Sequence, residues 1–401
     1  MPKTFLPRAR QLLPKLIELR RTIHRNPELS FCEFQTAALV ADRLQSMGIR
    51  HQVQVGKTGV VGHIGNEGPI VALRADMDAL PIQELNDVEY ASQVPGVMHA
   101  CGHDAHTACL LGAAMLLQET GVKGQVRLLF QPSEEGMDAE GKSGAMRMID
   151  DGAMKDVSAV FGLHVHGDFP AGSLICTPGP MAAALDNFRA VIHGVAAHGA
   201  YAYQGVDAVL LAAQVVTSLH TIVSRRIPAL DGGVISVGII QGGTKENNLA
   251  DFVELRGTIR SLNSSVHEAL VRELDRACQI SRVLGGDYEL HIQHGYPPVI
   301  NDKPLTALVH RVAVELVGEN AVYERPPELG GEDFACYMQL APGSFYELGV
   351  QTPGEPIRPL HNPHFDIDES ALAIGAASLA RVAMEWLEQQ VSNESVHRVR
   401  L

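Results

Sequence analysis

The 401-residue chain is short of positive charge, has only six cysteines, and contains no tandem repeat or low-complexity tract. Each shortage excludes something. With 32 Lys and Arg against 46 Asp and Glu, the formal charge is −14 at neutral pH, and nucleic acid or an anionic membrane as main partner would need the opposite sign. Cys32, Cys101, Cys109, Cys176, Cys278 and Cys336 are too scattered for a disulfide scaffold and point to reduced thiols in a cytoplasmic compartment. The apolar stretch LLAAQVVTSLHTIV carries polar side chains and reads as too short to cross a bilayer, so no membrane span is expected. The N-terminal thirty residues spread their basic side chains without an apolar core or cleavage site, so they read as an amphipathic first helix rather than a signal peptide.

What is present is a chain long enough for two domains, with 46% hydrophobic residues to fill their cores. Between residues 35 and 165, strand-like and helix-like runs alternate, as in an α/β layer. PIVALRADMD, VRLLFQPSEE and AVFGLHVHG each pass from buried-strand composition into carboxylates or histidines. In open α/β sheets ligands bind at that carboxyl edge, so Asp76, Asp78, Glu134, Glu135, His164 and His166 are expected on one rim. From residue 183 the order becomes β-α-β-β-α-β, that of a ferredoxin-like unit, flanked by the proline-bearing TPGP and GYPPVIND. The expected organisation is a catalytic domain over 1–182 and 297–401, interrupted by an inserted domain over 183–296.

MHACGHDAHT places Cys101 and His103 two positions apart ahead of a helical apolar run. Thiolate and imidazole suit borderline-soft cations, although an isolated pair also fits a buried structural cysteine. In QPSEEG the adjacent Glu134 and Glu135 point in different directions, so one can bind metal while the other handles a proton, the minimum for metal-assisted hydrolysis. Asp76 and Asp78 in RADMDALP lie on one side of an extended chain, and LHNPHFDIDE adds His361 and His364.

RADMDALP, MHACGHDAHT, QPSEEG, GLHVHG, AAHGAY, GGEDF and LHNPHFDIDE together resemble, in order and over nearly the whole chain, the dinuclear metallohydrolase family of aminoacylases and zinc carboxypeptidases. The branch of hippurate and auxin-conjugate hydrolases is the most similar. The resemblance implies a mixed-sheet α/β, zinc-exopeptidase-like catalytic domain with an inserted lid and dimerisation domain, and a homodimer or higher homo-oligomer. It implies two divalent ions per subunit, zinc or manganese with cobalt or nickel as alternatives, held by Cys101, His103, Glu135, His164 and His361. Glu134 becomes the general base acting on a metal-activated water, with Asp78 supporting the site from behind. His198 becomes the donor that steadies the oxyanion, often from the neighbouring subunit. Asn247 and Arg260, with Gly330 and Gly331, become substrate contacts, Arg260 as the cation for an amino-acid carboxylate. Where other branches carry a metal-binding histidine this chain has Asp76, whose role stays open.

The chain departs from that family at Ala202, Tyr203, Ala208 and Ala250, all in the inserted domain, where proline, histidine, proline and proline are usual. The expected reaction is hydrolysis of the amide bond of an N-acyl amino acid. A metallocarboxypeptidase or dipeptidase acting on short peptides is the alternative. A thiol hydrolase with Cys101 as nucleophile activated by His103, or a binding module without activity, stands as an alternative of another class.

Overall fold

The computed structural model describes residues 5–398, with side chains through residue 392; residues 1–4 of the expected first helix lie outside this range. In chain order the elements begin with α1 (Phe5–Arg25), α2 (Phe34–Ser46), β1 (Arg50–Val55), β2 (Gly59–Ile64), β3 (Ile70–Asp76), α3 (His103–Thr120), β4 (Gln125–Gln131), α4 (Gly144–Asp150), β5 (Val157–Pro170) and β6 (Leu174–Ile175). They continue with β7 (Gly179–Ala182), β8 (Ala184–His193), α5 (Ala208–Arg225), β9 (Gly233–Gly242), β10 (Phe252–Ser261), α6 (Ser264–Cys278), α7 (Ile280–Val283), β11 (Asp287–Tyr296) and β12 (Val299–Asn301). The chain closes with α8 (Lys303–Val317), β13 (Val322–Tyr323), α9 (Phe334–Met338), β14 (Gly343–Gln351) and α10 (Leu372–Arg398).

Two compact units result. The larger comprises residues 1–179, 301–326 and 333–401, the smaller 180–300 and 327–332. The stretch 327–332, which the sequence reading assigns to the returning part of the catalytic domain, clusters instead with the smaller unit. Its backbone explains why: Gly330 O accepts from Ala183 N and Glu328 N donates to Met181 O.

The larger unit is a mixed α/β fold around an eight-stranded sheet of order β1-β2-β4-β3-β5-β14-β6-β13. Its central strands β4, β3, β5 and β14 are mutually parallel, and the outer β1, β2 and β6 pair antiparallel. Every residue of β3 is buried, as a parallel strand covered on both faces requires. β4 lies on one side of β3 and β5 on the other, a reversal in strand order of the kind that opens a crevice at the carboxyl ends. The buried helix α3 packs against α1 and α10 in one continuous core.

The smaller unit carries an antiparallel sheet of order β11-β8-β10-β9 with helices in the β-α-β-β-α-β succession, and its own core centred on Leu219, Leu255 and Leu270. The apolar run within α5 reads as too short for a span, yet Ala208–Arg225 and Glu369–Ser392 are both long and apolar enough to cross a membrane by length and composition alone. The second stretch is 78% buried inside the larger unit. α5 buries Ala208, Leu211, Ala212, Val215, Leu219 and Ile222, the i, i+3, i+4 stripe of a helix lying on a core.

Candidate active site

The carboxyl ends of β3 and β4, the middle of β5, the start of α3 and the loop before α10 bring their polar side chains to one place. Candidate ligand atoms of Cys101, His103 and His164 lie within 4.8 Å of one another, as do those of Cys101, Glu135 and His361, and those of His103, Glu134 and Glu135. Shared members make these one cluster. β5 runs six residues beyond His164, so this histidine projects from inside a strand rather than from its end.

Local backbone geometry sets each side chain. Gly102, between Cys101 and His103, has φ +83°, and a Cβ there would stand 2.3 Å from Val165 Cγ2, so only glycine lets the start of α3 approach β5 this closely. Ser133 (φ 44°) and His361 (φ 60°) are non-glycine residues in the left-handed region, one just before the glutamate pair and the other within the cluster. His361 N donates to Ala100 O at 2.8 Å, tying its loop beside Cys101, and His361 Nε2 pairs with Glu135 Oε1 at 3.0 Å.

Both imidazoles, His103 buried and His164 half-buried, are oriented through Nδ1. His103 Nδ1 bonds Asp78 O at 2.9 Å and Asp78 Oδ1 at 3.2 Å, while His164 Nδ1 bonds Val165 O at 2.7 Å. An Nδ1–H donated to a carbonyl leaves Nε2 as a lone pair, the usual arrangement behind a metal-binding histidine. His164 Nε2 lies 3.4 Å from Cys101 Sγ. His103 Nε2 is buried and has no hydrogen-bond partner. That nitrogen, without a hydrogen bond and 3.6 Å from Asp76 Oδ2, lies among a thiol and carboxylates that fit a divalent cation of the zinc or manganese kind.

Burial lowers the His103 pKa, but Asp76 and Asp78 outweigh it and hold it up to about 10, so the same carboxylates favour positive charge at Nε2, as a proton that a metal ion would displace. Burial, Glu135 and Glu134 push the Cys101 thiol well above its ordinary range. A nucleophilic thiolate needs electropositive surroundings, so this carboxylate-rich pocket disfavours the thiol-hydrolase alternative. Burial works against ionisation of Asp78, yet His103, Ser30 and the Glu134 N–H keep its pKa below the ordinary value. Asp78 accepts from Ser30 Oγ at 2.7 Å and from the N–H groups of Glu134 and Glu135 at 3.0 Å each. It therefore supports His103 and both glutamates at once.

Several supporting residues escaped the sequence reading. His106 Nδ1 donates to Asp76 Oδ1 at 2.6 Å and Nε2 accepts from Val165 N at 2.8 Å, locking β5 beside His164. Its i+3 spacing from His103 on α3 was the available signal. Arg74 joins Asp76 at 2.6 Å to Asp333 of GGEDF at 2.9 Å, all three buried. Asp76, of open role in the sequence, is thus held by Arg74 and His106. His166 sits against Phe169, and His364 is exposed.

Glu33 is a further buried carboxylate, accepting from Phe31 N, Ser133 N and Thr58 Oγ1 and so anchoring the turn that carries Glu134. Burial and nearby Asp78 push its pKa up to about 7. The folded chain therefore holds this proton more tightly than the unfolded chain, and stability falls as pH rises from about 4.5 to about 7, by roughly 3 kcal/mol. Glu33→Gln, isosteric but unable to ionise, is expected to flatten that slope in urea unfolding at pH 5 and pH 8.

The remaining candidates lie in the smaller unit and fall into two groups. His198 caps a short 3-10 turn with Nδ1 accepting from Ala200 N at 3.1 Å, which leaves the proton on Nε2 and makes it a donor. Asn247 adjoins it, since Gly199 N donates to Asn247 O at 2.8 Å. Arg260 donates to Leu329 O at 2.7 Å, next to Gly330 and Gly331. The His198 group follows the end of the sheet where Phe252 faces His193, and the Arg260 group the end where Ser261 faces Ala184. A ten-residue strand puts about 30 Å between those ends.

The sheet and the cluster at its rim define a hydrolase of the metallopeptidase class, acting on amide bonds. The chain belongs to peptidase family M20/M25/M40, whose sequence profile matches residues 72–385. It is 40% identical to thermostable carboxypeptidase 2 of Saccharolobus solfataricus over 92% of this chain and 95% of that protein. It is also 40% identical to the N-acetyl-L-cysteine deacetylase of Bacillus subtilis, covering 95% and 89% of the two chains. Among solved structures, a dinuclear metal binding peptidase of the M20 family from Bacillus subtilis matches with TM-score 0.81 and 34% identity, over 94% of this chain and 99% of that one.

Proposed function

We propose that this chain hydrolyses the amide bond of N-acyl amino acids, using two divalent metal ions held by Cys101, His103, Glu135, His164 and His361. The observation that carries the proposal is the convergence of Cys, His and carboxylate ligand atoms, with His103 oriented by Asp78 and its buried Nε2 without a hydrogen bond. Bound ions would polarise the scissile carbonyl and lower the pKa of the attacking water. Glu134 takes that water's proton and returns it to the departing amine, while Asp78 holds the Glu134 backbone and the His103 ring in place. Arg260 with Gly330 and Gly331 binds the substrate carboxylate, and Asn247 contributes beside His198.

His198 is assigned to the developing oxyanion, for which its Nε2–H is the appropriate tautomer. The separation between the His198 and Arg260 groups supports delivery of His198 from a second copy of the chain. The smaller unit, proposed over 183–296 as lid and dimerisation domain, offers the edge strand β9 with exposed Ile239 and Ile240 for that pairing. His198→Ala is expected to lower kcat by about 10²–10³-fold. Mixing it with an inactive Glu134 variant is expected to restore part of the activity; no restoration in a confirmed mixed dimer would overturn the assignment in trans. The free thiols of all six cysteines support a reducing, cytoplasmic setting.

A second reading, cleavage of dipeptides and short peptides with a free carboxylate, is favoured by the similarity to a carboxypeptidase. Loading the protein with manganese, zinc or cobalt and comparing N-acetyl, N-benzoyl and dipeptide substrates separates the two. Chelation should abolish the activity and metal should return it, with peptide turnover dominant only under the second reading.

A further inference from the structure

The smaller unit contains a second cluster of metal-binding side chains, formed by Asp186 of β8, His294 of β11 and His267 of α6, whose ligand atoms all lie within 4.8 Å of one another. Asp186 is almost completely buried, and one of its oxygens, Oδ2, faces both His267 Nε2 and His294 Nδ1 at 2.8 Å. Two imidazole nitrogens on one carboxylate oxygen is an unusual convergence for a surface ion pair, because each histidine could be solvated separately. The surroundings hold it in place. His267 Nδ1 lies 3.2 Å from Ser261 Oγ, and Gly295 N donates to Asp186 Oδ1 at 3.1 Å. The strand pairing slips between His294 and Tyr296, a bulge of the kind that re-aims a side chain.

We propose that Asp186, His267 and His294 form a divalent transition-metal site, of the zinc type, separate from the catalytic cluster. Two imidazoles and a carboxylate are an established zinc donor set, and the hydroxyl and backbone N–H behind them are the outer partners that fix ring and carboxylate orientation. Tetrahedral ligands at zinc distances stand about 3.3 Å apart, so each imidazole nitrogen needs to draw only about 0.5 Å away from Asp186 Oδ2 to admit the ion. His294, with 74% of its side chain exposed, gives the route of entry and leaves a fourth position for water.

The test uses the full chain, equilibrated with zinc at micromolar free concentration and freed of excess by gel filtration, with zinc per chain counted by atomic emission. His294→Ala and Asp186→Asn are each expected to hold one zinc fewer than the unchanged protein, with amide hydrolysis within twofold. The exposed edge position of His294 makes its variant the safer of the two for folding. Zinc at the catalytic cluster cancels in the difference, so the result is independent of the proposed reaction. Equal zinc content in the unchanged chain and a folded His294→Ala variant would overturn the site.

Discussion

Glu134→Gln is expected to leave the chain folded and metal-loaded while lowering kcat for amide hydrolysis by about 10²–10⁴-fold. Glu134 is 8% exposed and its backbone N–H is held by Asp78, features that a glutamine leaves intact. The amide has no site for the proton that must pass from water to the leaving amine. KM and metal content should change little, since the glutamate paired with His361 is Glu135. Steady-state kinetics with metal analysis of the same sample provides the check. Unaltered kcat would remove Glu134 from proton transfer, and loss of a metal would make it a ligand instead.

Asp78→Ala is expected to act at several points, because one buried carboxylate serves Ser30, Glu134, Glu135 and His103. It leaves the N–H groups of Glu134 and Glu135 without their acceptor, each costing about 1–3 kcal/mol where water cannot replace it. It also frees the His103 ring, for which loss of the orienting partner lowers metal affinity by about 10–100-fold. The Asp78 main-chain carbonyl remains on Nδ1, so the affinity should fall without vanishing. Metal titration and urea unfolding separate the parts. Reduced stability with unchanged affinity would make Asp78 purely structural, whereas Asp78→Asn should recover part of both by keeping one acceptor oxygen.

Much of the site was legible in the chain because its donors sit in short motifs at the ends of strongly apolar runs. Glu134 and Glu135 follow a buried strand by a few residues, and Cys101 and His103 straddle the glycine that starts α3. Such local patterns report what each segment can offer. They were less informative for His106, which is quoted within the same motif yet looks like one more helix residue until β5 is packed against it. Arg74 and Asp333 are 259 positions apart, so their buried ion pair had no local signature.

The same limit applies to the smaller unit. Periodicity indicated the β-α-β-β-α-β succession, since alternation and helical spacing are properties of consecutive residues. Polar residues interrupt the apolar run within α5, and the helix turns them outward while burying the stripe from Ala208 to Ile222. Asn247 and Arg260 flank one strand in the sequence, and because a strand extends by about 3.3 Å per residue they lie toward opposite ends of the sheet. Asp186, His267 and His294 passed unnoticed, being far apart in the chain and joined only by strand register and the docking of α6.

By itself, then, the sequence determined the donor types, their order and the segments that carry them, because composition and spacing are local. Only the tertiary structure decided which of the eighteen histidines converge and which nitrogen each presents. Those choices depend on the parallel order of β4, β3, β5 and β14, on the close approach at Gly102 and on hydrogen bonds such as that from His103 to Asp78. They are set by long-range packing, and no stretch of chain encodes them alone.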